Sequence, residues 1–141
     1  MAFVSGLHHV QLAAPAGSEP RMREFFAGVL GLTEIEKPAG LAARGGAWFD
    51  GPGFQLHVGI EKEFSPARKA HPALLVDDLD GLAARFAEAG HPVKRDDPLV
   101  IPGAGEYEHF YVDDPAGNRL EFLQQALVDR ESMYLVFPSP H

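Results

Sequence analysis

Residues 71–80 read His71-Pro72-Ala73-Leu74-Leu75-Val76-Asp77-Asp78-Leu79-Asp80, and the change of period inside this stretch decides the fold. His71 to Val76 is an apolar run of strand length, and Asp77 or Asp78 can cap a helix behind it. Leu79, Leu82, Ala83, Phe86 and Ala87 then recur at helical spacing until Gly90 stops the pattern. Downstream, three short strands are expected around Val93, His109–Val112 and Arg119–Leu123. Between them, Gly103-Ala104-Gly105-Glu106-Tyr107-Glu108 reads as a loop that can serve as a lid or a solvated turn.

Upstream, the same order is already written once. Leu7–Ala13 alternates as a strand, with Val10 and Leu12 on one side and His9 and Gln11 on the other. Ser18 can cap a helix, Pro20 suits its first turn, and Met22, Phe25, Phe26, Val29 and Leu30 form its apolar stripe before Gly31. Strand-like runs follow at Leu41–Arg44, Ala47–Phe49 and Phe54–Ile60. Met22 and Phe26 match Leu82 and Phe86 at an offset of 60, His9 matches His71 at 62, and His57 matches Glu121 at 64. A constant order with a small drift placed in loops predicts a duplicated strand-helix-three-strand unit. The expected organisation is a first module over 1–62, a polar linker over 63–70, a second module over 71–125 and a C-terminal extension over 126–141.

With 141 residues, the chain makes one ordinary domain or two half-sized units sharing a core. Hydrophobic residues at 45% and charged ones at 23% allow a packed interior. Twenty acidic against twelve basic residues give a net charge of -8, which disfavours nucleic acid and anionic lipid as partners. The absence of Cys removes disulfides, thiolate nucleophiles and thiolate metal sites. Met1–Gly6 lacks the basic start and apolar run of a signal peptide, so a soluble, cytoplasmic protein is expected. No Walker loop, Gly-x-Gly-x-x-Gly run or His-Glu-x-x-His motif occurs, which leaves nucleotide binding and zincin proteolysis unsupported.

Five motifs, Leu7-His8-His9-Val10, Phe25–Leu32, Leu56-His57-Val58, His71–Asp80 and Phe110–Glu121 with its Asp-Pro-Ala-Gly-Asn-Arg-Leu-Glu close, together resemble the vicinal oxygen chelate superfamily. That superfamily holds glyoxalase I, bleomycin-resistance proteins, thiol-transferring fosfomycin-resistance enzymes and extradiol dioxygenases. The resemblance implies an α+β fold of two tandem βαβββ modules, curled into an incomplete barrel-like sheet with helices outside. It also implies metal ligands from the first and last strand of each module. Carried over by position, these are His9, His57, His71 and Glu121; the glyoxalase-like pattern has Glu where His57 stands, so His57 is the least secure of the four.

Strand alternation independently puts His9, His57 and Glu121 on faces opposite their apolar neighbours. Imidazoles plus a carboxylate suit Zn, Fe, Ni, Mn or Co and can present a Lewis acid to a small oxygen-bearing substrate. Glu121 is also the candidate catalytic base. Arg119 shares its face and is a candidate anion anchor, or a plain salt-bridge partner. His109, Tyr111 and Gln11 are candidate substrate contacts; for His109 and Tyr111 a cross-strand pair is the structural alternative. His8, His91 and His141 read as surface residues, and Trp48 as packing.

The function expected is a metal-dependent glyoxalase-like lyase or isomerase, or an extradiol-type dioxygenase, acting on a small molecule. The alternative is a protein of the bleomycin-resistance kind that binds a drug or metabolite without turnover. The apolar Met133–Phe137 stretch suggests packing on a partner, and hence a homodimer.

Overall fold

The computed structural model describes residues 2–126, so the expectation for the C-terminal extension falls almost wholly outside the described residues. The first half builds β1 (His9–Ala14), α1 (Glu19–Arg23) with a π-helical continuation over Glu24–Val29, β2 (Thr33–Ile35), α2 (Ala39–Ala42), β3 (Ala47–Gly51) and β4 (Phe54–Ile60). The second builds β5 (Ala73–Leu75), α3 (Leu79–Glu88), β6 (Lys94–Ile101), β7 (Gly105–Asp113) and β8 (Arg119–Gln125). Each half forms a four-stranded sheet, ordered β1-β4-β3-β2 and β5-β8-β7-β6. In both, the first strand runs parallel to the last and the others are antiparallel. The two sheets are not closed into a barrel.

Alternation decides which residues meet in the middle. Leu12, Phe49, Leu56 and Val58 from one sheet, and Phe110, Val112, Leu120 and Phe122 from the other, belong to one buried cluster with Met22, Phe25, Phe26, Leu79 and Phe86 of the helices. Phe25 stacks on Phe86 at 5.5 Å between centroids, which joins the two halves. Arg85 of α3 donates to the carbonyls of Gly28 and Val29, placing a cation on the helix end left open in the other half.

Several local expectations are corrected. Leu41–Arg44 is not a strand: Pro38 begins the short α2, and the remaining strand of the first half is Thr33–Ile35, which pairs with Trp48–Asp50. Ser18 stands at the helix start, but its hydroxyl donates to the Pro15 carbonyl instead of capping. The first helix widens, the Leu30 amide donating to the Phe25 carbonyl five residues back, and adjacent Phe25 and Phe26 are both buried. Of the two readings of Gly103–Glu108, the solvated turn holds: it is the exposed β6–β7 turn and the start of β7. His91 is half-buried, its ring edge-on to Phe25 and Phe86.

Asp78 caps α3 as expected, accepting from the Gly81 amide. The Asp114–Asn118 turn binds the halves together. Asp114 accepts from the amides of Ala116 and Asn118, and burial pushes its carboxyl above the ordinary value despite those bonds. Asn118 donates to the Ala13 carbonyl of β1 at 2.8 Å and accepts from the Ala67 amide at 3.0 Å. Asn118→Ala strands these buried groups and is expected to cost on the order of 3 kcal/mol in urea unfolding. A loss under about 1 kcal/mol would make the stitch dispensable.

Candidate functional site

The faces turned away from the apolar cluster carry the polar side chains. In the first sheet the register sets Gln11 beside His57 and Trp48 opposite His57. The His57 ring is held between two others, Trp48 at 3.9 Å and 5°, and His9 at 4.2 Å and 14°. Burial under these rings, followed by the positive charges of His9, His8 and Lys37, holds its pKa below the ordinary 6.5. His57 is therefore neutral at pH 7, the form that a metal or a substrate hydroxyl can use. Its Nε2 lies 3.0 Å from Gln55 Oε1, and His9 Nδ1 lies 3.0 Å from His8 Nδ1. Gln11 lies over Gly59, where a Cβ would collide with its amide. It lines a cavity of about 260 Å³ with Arg44, Lys37 and Trp48.

In the second sheet, Glu121 of β8 lies beside Ala73 of β5 and opposite Tyr111 of β7. Its carboxylate is buried, and its two oxygens serve different imidazoles: Oε1 is 2.9 Å from His71 Nε2, and Oε2 is 2.9 Å from His109 Nδ1. The far nitrogens of both rings meet backbone carbonyls, His71 Nδ1 at Lys69 and His109 Nε2 at Asp97. Since a carbonyl only accepts, those far nitrogens carry the N–H. Each contact to Glu121 then needs a proton of its own, on imidazole or carboxyl, or a cation in the proton's place.

That bears directly on a metal. Bonds near 2.1 Å to nitrogen and oxygen put ligand atoms that meet at right angles, as on an octahedral ion, roughly 3 Å apart, which is also an ordinary hydrogen-bond distance. The 2.9 Å between His71 Nε2 and Glu121 Oε1 has that spacing. The Lys69 carbonyl takes the His71 Nδ1–H, and His109 secures the second carboxylate oxygen, so both side chains are held from behind.

Tyr111 stands next to this pair, its ring 5.7 Å from His71 and 5.6 Å from His109. Burial, then the carboxylates of Glu121 and Asp96, raise its pKa above 10.0 although Arg119 pulls the other way, so it remains a phenol donor. Arg119 lies over its face, 5.4 Å from the centroid. The structure thus gathers His71, Glu121, His109, Tyr111 and Arg119 on one sheet, and His9, His57 and Gln11 on the other. It does not bring the four expected ligands together: among the described residues, no three His, Asp or Glu side chains are grouped to hold one ion. Sequence reasoning missed Gln55 and the stacking role of Trp48, both readable from alternation against His57, and the Lys69 and Asp97 carbonyls, which leave no sequence signal.

The family model of the Glyoxalase/Bleomycin resistance protein/Dioxygenase superfamily matches residues 6–122. No match is found among curated proteins. Among solved structures, a Bacillus anthracis protein assigned to the glyoxalase family is 37% identical, with a TM-score of 0.81 over 89% of this chain and 99% of that one. A lactoylglutathione lyase from Agrobacterium tumefaciens shares the fold at 19% identity, TM-score 0.64, over 87% and 96% of the two chains. A glyoxalase/dioxygenase from Nostoc punctiforme does so at 24% identity, TM-score 0.65, over 85% and 90%.

The stacked histidine makes a direct test. In proton–nitrogen NMR, His57 is expected to titrate below 6.5, and Trp48→Ala, which uncovers the ring, should move it up toward that value. Because the folded ring holds its proton less firmly than the unfolded one, stability should fall as pH drops through 6.5 toward the folded value. A His57 that titrates at or above 6.5 would contradict the stacked, buried geometry.

Proposed function

The chain belongs to the glyoxalase/bleomycin resistance protein/dioxygenase superfamily, and from that premise we propose a metal-dependent enzyme acting on a small oxygen-bearing substrate, of the glyoxalase-like lyase or isomerase kind. The observation that carries the reading is the His71–Glu121 pair, its atoms at ligand spacing and each side chain held from behind. His71 Nε2 and Glu121 Oε1 would hold a divalent ion, with His9 and His57 as the remaining ligands. Without thiolates, the set suits Zn, Ni, Mn, Co or Fe. Such an ion supplies Lewis acidity toward two neighbouring substrate oxygens.

The chain's own residues supply the rest. Glu121 takes a proton from the carbon beside those oxygens and returns it to the neighbouring carbon or to the leaving group. His109 keeps the carboxylate aimed, and the Tyr111 phenol donates toward substrate oxygen. Gln11, on the His57 side, is a second polar contact.

The two half-sites meet, in this reading, between two copies of the chain. Four observations favour it. Among the described residues, His9 is exposed on β1, which pairs only with β4; β5 pairs only with β8; and no ligand triad gathers within one chain. The exposed apolar side chains Phe3, Val4, Leu7 and Leu75 lie just ahead of β1 and on β5, beside those two open edges.

Metal content measures both claims. Wild type is expected to carry about one transition metal per chain, and His71→Ala/Glu121→Ala and His9→Ala/His57→Ala to carry little. Co-expressing the two double variants should restore about a quarter of the wild-type content, because half the dimers are mixed and each mixed dimer rebuilds one site. No recovery would defeat the shared site. A wild type that takes up no metal would leave a ligand-binding protein of the bleomycin-resistance kind, and iron with oxygen uptake would turn the reading to the dioxygenases.

A further inference from the structure

The cleft beside Tyr111 holds about 420 Å³ and is lined by four cations, Arg68, Lys94, Arg95 and Arg119, against two carboxylates, Asp96 and Asp113. In a chain of net charge -8 this is a local reversal of sign. Two of the cations are committed. Arg68 donates to Asp113 and to the Gly117 carbonyl, and Arg95 to Asp80 with Glu108 at 3.8 Å. Arg119 and Lys94 are not: among the described residues neither side chain makes an ion pair or a hydrogen bond within the ordinary limits. Yet both are placed. Lys94 is the cross-strand neighbour of Tyr111, and Arg119 lies over the Tyr111 ring, half-buried. A half-buried guanidinium with five donors and no acceptor is poised for a planar oxyanion.

We propose that this cleft binds an oxyanion, carboxylate or phosphate-like, carried by the same substrate whose reacting oxygens lie at His71 and Glu121. It rests on the functional reading above and names the substrate class: a small acid. Arg119 stands two residues before Glu121 on one face of β8, about 7 Å along the strand. The charged group is therefore separated from the reacting oxygens by only a few bonds. Tyr111 is the wall between the two ends, touching His71 on one side and Arg119 on the other. Of the two lining carboxylates, Asp113 is already paired with Arg68, while Asp96 stands two residues from Lys94 on β6. The volume falls in the range of small-molecule sites, roughly 300–1,000 Å³.

The test is calorimetric and NMR titration of chelator-treated full-length protein with inorganic phosphate and, separately, succinate. Saturable binding is expected in wild type, weakened about tenfold or more in Arg119→Gln and several-fold in Lys94→Gln, and falling as salt rises. Lys94 is exposed, so its variant keeps the question answerable if Arg119→Gln lowers stability. Preference for phosphate or for succinate tells which oxyanion the site takes. Equal affinity in wild type and both variants overturns the proposal, as does binding that shifts amides away from Tyr111 and Arg119. Metal content on the same proteins separates this idea from the one beneath it: Arg119→Gln should keep the wild-type metal, and His71→Ala/Glu121→Ala should keep the phosphate affinity. A chain without metal whose anion binding depends on Arg119 would overturn the functional reading and leave the cleft standing.

Discussion

The contact between the two halves, Phe25 against Phe86, with Phe26 beside the one and Phe110 and Phe122 behind the other, is the constraint from which the rest of the structure follows. A four-stranded unit of about sixty residues buries too little surface to be secure alone. Two such units facing each other through their helices and inner sheet faces make one aromatic interior. Once those faces are committed inward, strand alternation leaves His9, His57, His109 and Glu121 no choice but the opposite faces. The chemistry of this protein is in that sense the reverse side of its core.

The electrostatics of the two polar faces differ in kind. On the first sheet, aromatic rings cover His57 and keep it neutral. On the second, a buried carboxylate is flanked by two imidazoles whose far sides are tied to backbone, an arrangement that needs a proton or another cation at each contact. Beside it, Arg119 of β8 and Lys94 of β6 are without an ion-pair partner among the described residues, in a chain with excess acid. The positive charge of the cleft thus lies next to the buried carboxylate, with Tyr111 between them.

The motif that identifies this sequence most readily is structural. Asp114, Gly117 and Asn118 form a turn that reaches Ala13 and Ala67, and they hold the halves in place without facing the site. Elements with clear alternation or helical period, β1, β4, β8 and α3, were legible. The first half was less so: Leu41–Arg44 is apolar enough for a strand but short side chains behind Pro38 make it a helical turn, while Thr33–Ile35 is too brief and polar to announce itself. His91 reads as a surface residue after a helix-ending glycine, and only the meeting of α1 and α3 covers it with aromatic rings.

By itself, the sequence determined the duplicated βαβββ plan and the inward and outward sides of the strands, because period is a local property of the chain, and its resemblance to a family named the candidates His9, His57, His71 and Glu121. Only the tertiary structure decided which of them touch. It paired His71 with Glu121 and His9 with His57, brought His109 behind the carboxylate, supplied the Lys69 and Asp97 carbonyls, and set Arg68, Lys94 and Arg95 around Arg119. Those partners lie as much as 51 residues apart, as Arg68 and Arg119 do, or belong to the backbone. Their meeting depends on strand register and on how the two sheets pack, and neither is written in any single stretch of sequence.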